Sequence, residues 1–437
     1  MPSSRPASRR SDPPVTSSSD SAVWYRRLPL AAICLTLLLL LSALFAVPAI
    51  RDAATLRPVI EAHLEFPAGY LLLAPLSDVL DHLTLLTIPQ HIALVLWAVA
   101  IFAVVRWTRG RSRPRSGVRE GIAAGLFVLG VLIVYAAAAA LPRPMAQLQT
   151  TDLTVLAIDF HTHTRYSHDG RTGWEPRDVR AWHEAAGFDA AYITDHRTLD
   201  GATEGIAGNA SQAGQGVLLL QGLEAGYHGE HVNILGAGNH FNGITTPDLR
   251  DVDDQALALA SLVPNGEPVL IETLPGNLSH LIAAPAPGTA GLRAIELLDG
   301  SPRGLTQSRA DRARIVRLAD SLDLALVAGT DNHGWGRATP GWTMMRVIDW
   351  RSLGTDSLSQ RIERVMRIGR RGSSKVFERR VADADPLSVA FAGVTVPWRM
   401  FTTLGGEERM AWFVWIWAIV LLIHLAESSR TRDAAKE

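Results

Sequence analysis

Two histidines that follow an apolar run are the residues of this chain best suited to chemistry. The run at 155–158 is typical of a strand, and His161 and His163 stand two residues apart just beyond it. Because side chains two apart on a strand point to the same face, both imidazoles should point the same way. Asp169 returns from the loop that follows. Imidazoles beside a carboxylate are suitable ligands for a divalent metal ion.

Further metal-ligating side chains accompany other apolar runs. The runs are typical of strands and lie at 190–193, 217–220, 232–235 and 324–328. The groups next to them are His196, Glu224, His231, Asp331 and His333. Most of these stand at the carboxyl end of a predicted strand, which is where catalytic groups collect in closed parallel barrels. We therefore expect residues far apart in sequence to converge on one pocket.

Helical patterns separate several of these predicted strands. They lie at 177–186, 254–262 and 306–322. Strands that alternate with helices predict parallel β/α units, and hence a fold of the α/β class.

The ordered set H-x-H…D-G, T-D-H, G-x-E, a following His and T-D-N-H resembles the polymerase and histidinol phosphatase (PHP) family of metallohydrolases. The resemblance covers residues 150–375. It implies a distorted (β/α) barrel of the PHP type that holds up to three metal ions. The resemblance further implies one metal between His161, His163, Glu224 and Asp331, a second between Glu224 and His231, and a third between Asp169, His196 and His333.

One position departs from the family pattern. Family members carry a His-Pro whose histidine completes the second metal site, and the better match here is Ala284 before Pro285, the weaker one Leu274. Neither alanine nor leucine ligates a metal. His280 or Glu272 could substitute, or the second site is weak or filled by water. The expected cofactors are accordingly two or three divalent ions.

Three other residues are candidates for a supporting role at the site, and His183 is not. Arg165 and Arg197 adjoin the metal motifs, and a planar guanidinium suits phosphate oxygens, so both are predicted substrate contacts; ordinary surface charge is the alternative. Glu296 lies in a predicted strand that leads towards the site, and we expect it to order ligands or waters. His183 lies in a helical pattern and is interpreted as a surface or packing residue.

Four apolar runs flank the predicted metallohydrolase segment. Hydrophobic residues make up 47% of the 437-residue chain. They concentrate at 28–50, 83–105, 121–142 and 410–426. The first three runs are long enough to span a bilayer, whereas a buried helix is an alternative for the shorter fourth. The sequence thus predicts about four transmembrane helices around the barrel.

The order of these segments gives a domain organisation and an orientation. We expect a disordered cytoplasmic tail (1–27), three transmembrane helices (28–142), the PHP-like domain (150–375), a linker or interfacial segment (376–409), a transmembrane helix (410–426) and a cytoplasmic tail (427–437). Arginines crowd the first tail and the loop between the second and third spans, while the 51–82 loop is acidic. Cationic loops stay in the cytoplasm, so a multi-pass protein of the cell membrane with an extracytoplasmic catalytic domain is predicted.

Composition narrows the classes of partner. A formal net charge of −1 argues against a general nucleic-acid binder. The single cysteine, Cys34, excludes an intrachain disulfide and a cysteine-based zinc site. The expected partners are the lipid bilayer and a small-molecule or lipid-linked ester, and the sequence leaves the oligomeric state open.

These features predict a membrane-anchored metal-dependent hydrolase, most simply a phosphoesterase. Zinc, manganese or iron would activate a hydroxide that attacks phosphorus, and no protein nucleophile is required. A non-catalytic metal-binding sensor or assembly module is the alternative that the missing histidine favours. Hydrolysis of a non-phosphate ester is a second alternative.

Overall fold

The computed structural model describes residues 28–110, 117–196, 198–227, 230–235, 269–273 and 292–434. Several predictions lie outside these residues: the disordered tail 1–27, the helix at 254–262, Arg197, Leu274, His280 and the Ala284-Pro285 pair.

Strands and helices alternate only in part. The strands are β1 (Ile50–Asp52), β2 (Ala62–Glu65), β3 (Gln147–Thr150), β4 (Val155–Thr162), β5 (Ala190–Ile193), β6 (Leu218–Tyr227), β7 (Glu230–Leu235), β8 (Val269–Thr273), β9 (Leu292–Asp299), β10 (Ala325–Gly329), β11 (Gly341–Arg346) and β12 (Ser374–Arg379). The α-helices are α1 (Leu28–Leu44), α2 (Ala68–Leu72), α3 (Ala74–Thr84), α4 (Ile88–Gly110), α5 (Gly117–Ala140), α6 (Pro176–Ala186), α7 (Asp200–Ala207), α8 (Pro302–Leu305), α9 (Arg309–Leu322), α10 (Thr355–Gly369), α11 (Pro386–Ala390), α12 (Ala392–Thr403) and α13 (Gly406–Ala434).

A curled 10-stranded sheet forms the body of the barrel, in the order β1-β12-β11-β4-β5-β6-β7-β8-β9-β10. Its last strand returns towards β4 and β11. The Thr343 hydroxyl of β11 accepts a hydrogen bond from the Ala328 amide of β10 at 2.7 Å, and Asn332, just after β10, forms a bridge with Thr162. This curled sheet agrees with the predicted distorted barrel.

The expectation of parallel units is correct for only part of the sheet. Pairs β4–β5, β5–β6, β8–β9 and β9–β10 are parallel. Pairs β6–β7, β7–β8, β11–β12, β4–β11 and β1–β12 are antiparallel. Strands β6 and β7 are antiparallel because their connection is short and runs only from Tyr227 to Glu230. A connection this short can return a chain antiparallel, whereas a parallel partner needs a crossover of a dozen or more residues.

Strands formed by continuous apolar runs are buried on both faces. Strands β5 and β10 are buried at every position. On the inner strands, Phe160 and Tyr192 stack with their ring centroids 5.4 Å apart. Burial on both faces is the reason that these runs lack polar alternation.

Three helices among the described residues are long and apolar enough to cross a membrane: Ile88–Thr108, Gly117–Ala140 and Gly406–Ser429. The first predicted span, 28–50, is instead the shorter apolar helix α1 of 17 residues. Beyond Leu44 the chain leaves the helix, and the Val47 amide donates to the Thr402 carbonyl of α12 at 3.0 Å. Three of the four predicted spans thus correspond to candidate membrane helices, whereas α1 is shorter than a span among the described residues.

A buried ionic cluster joins the helices to the barrel. Asp81 of α3 accepts two hydrogen bonds from Arg143, with Nη2 at 2.7 Å and Nε at 3.1 Å from Oδ1. Its other oxygen is 3.2 Å from Nη1 of Arg379, on β12. The side chains of Asp81 and Arg143 are 0% and 1% exposed. Since a buried charge is costly unless it is paired, this cluster holds α3 and the segment after α5 against the sheet.

Candidate metal centre

Strand β4 carries the two predicted histidines into the barrel. His161 lies in the strand and His163 just after it, and both are buried. The Asp331 amide donates to the His161 carbonyl at 2.8 Å, and the His163 amide donates to the Asn332 carbonyl at 3.2 Å. These backbone bonds fix the loop after β10 against the end of β4, so the two halves of the site have a defined register.

Glu224 lies at the middle of the cluster. Its Oε2 is 3.0 Å from Nε2 of His161 and 3.1 Å from Nε2 of His163. The same oxygen is 3.4 Å from Nε2 of His196, while Oε1 is 2.8 Å from Nδ1 of His231. This buried carboxylate thus contacts four imidazoles, and each of its two oxygens could ligate a metal ion.

Asp331 completes the group around the two histidines of β4. Its Oδ1 is 3.1 Å from Nε2 of His163 and 3.4 Å from Nε2 of His161. Ligands that share one tetrahedral ion at bond lengths near 2.1 Å are about 3.4 Å apart. Asp331 also has a φ of 44°, in the left-handed region that Asp tolerates better than most residues. The observed separations of 3.1 and 3.4 Å are close to this spacing, so the group could hold one ion.

Asp169, His196 and His333 lie beside this group. Oδ2 of Asp169 is 3.2 Å from Nε2 of His333 and 3.6 Å from Nε2 of His196. The rings of His163 and His333 stack with centroids 4.1 Å apart. Asp169 is 39% exposed, so this side of the cluster forms its open rim. The structure thus brings all eight predicted ligands together, and their binding of metal stays a prediction.

The free nitrogens of the cluster fit divalent ions. Nε2 of His163 is buried between two carboxylate oxygens and makes a geometrically acceptable hydrogen bond to neither. Nε2 of His333 is likewise buried without a hydrogen bond among the described residues. Nδ1 of His333 lies 2.8 Å from the Asp331 carbonyl, which requires a proton on Nδ1 and leaves the lone pair of Nε2 facing Asp169. Lone pairs that converge in this way suit a cation.

The electrostatics of the cluster also call for positive charge. Burial alone would lower the pKa of His163, but the negative charges of Asp331 and Glu224, whose oxygens each lie 3.1 Å from its Nε2, outweigh burial and raise that pKa to about 10. Burial would raise the pKa of Glu224, yet the charge of His161 holds it well below its usual range. Burial lowers the pKa of His196 to about 4, which keeps this ring in the neutral form that a ligand needs. A divalent ion would supply the same compensation as protons on these rings.

Two carboxylates of β9 lie beneath His161. Oε1 of Glu296 is 3.3 Å from Nδ1 of His161, as expected for a residue that orders a ligand. Asp299 was not predicted, and its Oδ2 is 3.9 Å from the same nitrogen. Regular alternation would put residues 296 and 299 on opposite faces. The pairing with β10 skips Leu297, and this irregularity turns both carboxylates inward.

A buried histidine–aspartate pair connects helix α6 to strand β4. His183 of α6 is fully buried, and its Nε2 is 2.7 Å from Oδ2 of Asp159. That carboxylate also accepts from the Thr330 hydroxyl at 2.5 Å and, through Oδ1, from the His161 amide at 3.1 Å. The sequence left His183 as a surface or a packing residue, and the structure shows it to be a packing residue. The pair ties α6, β4 and the end of β10 together.

The remaining candidates lie apart from the cluster. Arg165 contacts Glu175 at 2.5 Å and Glu204 at 3.5 Å on the surface, so its contact with substrate stays a prediction. Glu272 pairs with Val232, whereas its neighbour Thr273 pairs with His231. Because neighbours on a strand face opposite ways, Glu272 points away from the face of His231. It is therefore not the substitute for the missing family histidine.

The Glu296→Gln variant is expected to weaken metal binding about 10- to 100-fold, because the carboxylate that orients His161 loses its charge. Competition with a chromogenic chelator measures the affinity for Zn²⁺ and Mn²⁺. Glu363→Gln is the matched control, since Glu363 is a buried carboxylate of α10 that binds Arg367 at 2.8 Å. Equal affinities in wild type and Glu296→Gln would contradict the orienting role.

Comparison with known proteins gives matches only among solved structures, because no family model and no curated protein matches the chain. PsfC from Pseudomonas syringae is 16% identical with a TM-score of 0.34, over 55% of this chain and 95% of that one. A two-domain protein from Bacteroides vulgatus that contains a predicted PHP-like metal-dependent phosphoesterase is 14% identical with a TM-score of 0.32, over 54% and 69%. A candidate metal-dependent phosphoesterase from Bifidobacterium adolescentis is 17% identical with a TM-score of 0.30, over 47% and 95%.

Proposed function

We propose that this chain is a membrane-anchored, metal-dependent hydrolase of the PHP type and that it cleaves a phosphoric ester. The observation that carries the proposal is the contact of Glu224 with four imidazoles, flanked by the carboxylates of Asp331 and Asp169. The order of the metal motifs in the sequence supports the family, and the side chains of the cluster support the chemistry.

Three overlapping sets of residues would hold two or three ions. The sets are His161, His163, Glu224 and Asp331; His196, Glu224 and His231; and Asp169, His333 and His163. They differ from the sets that the resemblance implies, because His196 also groups with Glu224 and His231, and His163 with Asp169 and His333. Imidazole with carboxylate suits zinc, iron or manganese. Bound ions would supply Lewis acidity and would make a water acidic enough to attack at neutral pH.

The protein side chains contribute orientation and exclusion of water. Glu296 holds the ring of His161, and the Asp331 carbonyl holds that of His333. His161, His163 and Glu224 are each at most 3% exposed, so bulk water is kept from the inner ligands. The ester would enter over the rim at Asp169, which is the most exposed carboxylate of the cluster.

Hydrolysis of chromogenic esters by the full-length protein tests this function. We expect metal-dependent turnover of a p-nitrophenyl phosphomonoester or phosphodiester, and loss of that turnover in His161→Ala. Turnover of p-nitrophenyl acetate alone would favour the non-phosphate alternative. Tight metal binding without turnover of any ester would favour the sensor or assembly module.

We also propose that the protein is a multi-pass protein of the cell membrane with its barrel outside the cytoplasm. The Gln90 side chain near the start of α4 donates to Ala382, and Ala139 near the end of α5 accepts from Gly336. Both spans therefore meet the barrel at one end, and their arginine-rich ends point away from it. Labelling of Ser352→Cys by an impermeant maleimide on intact cells tests the orientation; labelling only after lysis would contradict it.

A further inference from the structure

A cleft of about 300 Å³ separates the end of α5 from the loop that follows His333. We call it the interfacial cleft. Its principal lining residues are Ala139, Pro142, Arg171, Trp174, Trp182 and Arg337.

The position of the cleft along α5 places it at a membrane surface. Ala139 and Ala140 line the cleft and are the last residues of the 24-residue apolar helix Gly117–Ala140. The end of such a span lies where the hydrocarbon core gives way to headgroups. Trp335, next to the lining residues Gly334 and Gly336, is 55% exposed, and tryptophan favours this same zone.

The cleft shares its wall with the metal centre. The Arg171 amide donates to the His333 carbonyl at 3.0 Å, and the Trp174 indole donates to the His163 carbonyl at 3.0 Å. On the membrane side, the Gly336 amide donates to the Ala139 carbonyl at 2.7 Å. The loop after His333 therefore connects the end of a span to the predicted ligands within a few residues.

The cationic groups of the cleft suit a phosphate. Arg171 donates to the Gly334 carbonyl at 3.1 Å and lies 4.8 Å from the Trp335 ring centroid. Arg337 donates to the Arg143 carbonyl at 3.2 Å. Neither guanidinium forms an ion pair within the part of the chain that the structure describes. The acidic lining residue, Asp178, accepts from the Glu175 amide at 3.1 Å in the cap of α6.

We propose that the interfacial cleft binds the phosphate headgroup of a membrane lipid and that the metal centre acts on a phosphoric ester presented from the bilayer. A guanidinium binds phosphate oxygens through paired, charge-assisted hydrogen bonds. Ala139, Ala140 and Pro142 give the cleft an apolar side at the end of the apolar helix. The proposal that the cleft binds a lipid headgroup depends on the cleft alone, whereas the proposal about the class of substrate rests on the proposed function.

Lipid binding by the full-length protein in detergent tests the first half. The probes are phosphatidic acid, diacylglycerol, which lacks the phosphate, and glycerol phosphate, which lacks the acyl chains. We expect phosphatidic acid to bind most tightly and Arg171→Gln to weaken it about tenfold, as for loss of a hydrogen bond to a charged group. Arg314→Gln should bind like wild type, because Arg314 is 55% exposed on α9, pairs with Asp311 and does not line the cleft.

Three results would overturn the lipid site: equal binding by Arg171→Gln and wild type, equal binding of diacylglycerol and phosphatidic acid, or equal binding of glycerol phosphate and phosphatidic acid. Unchanged metal content in Arg171→Gln shows that the variant is folded. Hydrolysis of a soluble phosphodiester, measured on the same samples, separates the two proposals. Lipid binding without hydrolysis would refute the proposed function alone, and hydrolysis without lipid binding would refute the cleft alone.

Discussion

The Glu224→Gln variant should lose phosphoester hydrolysis by at least about a thousandfold in kcat/KM. The contribution of bound divalent ions to catalysis is several kcal/mol, and each 1.36 kcal/mol is tenfold in rate. Glutamine keeps one oxygen but removes the negative charge and places an NH₂ group among four imidazoles. It can therefore neither bridge two ions nor balance their charge.

Two measurements check this expectation: the metal content by elemental analysis, and the initial rate of hydrolysis of a chromogenic phosphodiester. The Glu363→Gln variant again serves as the control for a buried carboxamide, because Glu363 lies in α10 and binds Arg367. A Glu224→Gln protein that keeps its metals and works within about tenfold of wild type would remove Glu224 from the centre of the mechanism. Loss of metal with intact folding is the result that the geometry favours.

The arrangement around Glu224 was accessible from sequence because strands place alternate residues on one face. His161 and His163 stand two apart, and both reach the same carboxylate oxygen. The apolar run 190–193 coincides with strand β5. Apolar runs marked the strands, and polar groups next to their ends marked the site, so the cluster could be assembled without knowledge of the loops.

Features that depend on long-range packing were not accessible in this way. Asp299 turns inward only because the β9–β10 pairing skips Leu297, and no local pattern encodes that irregularity. The His183–Asp159 pair depends on how α6 docks on β4, which the helical pattern around His183 does not specify. The antiparallel return of β7 follows from a connection whose length became clear only once β6 was known to extend to Tyr227.

The Asp81→Asn variant should destabilise the full-length protein by about 3–5 kcal/mol. Removing one partner of a buried ion pair leaves the other charge uncompensated, and here the carboxylate faces two guanidinium groups, those of Arg143 and Arg379. Asparagine keeps the size of the side chain, so the loss arises from charge rather than from a cavity. At about 2–4 °C per kcal/mol, Tm should fall by about 10 °C.

Intrinsic tryptophan fluorescence during heating in detergent measures this shift. Asp152→Asn is the matched control, because its carboxylate pairs with Arg346 at 2.7 Å on the surface, where both side chains are at least 36% exposed. Exposed pairs contribute little, so this control should melt close to wild type. If Asp81→Asn also melted like wild type, the buried cluster would not be the joint between the helices and the barrel. The lipid affinity of the same variant adds an independent test, since a loosened joint should disturb the interfacial cleft before it disturbs the ligands around Glu224.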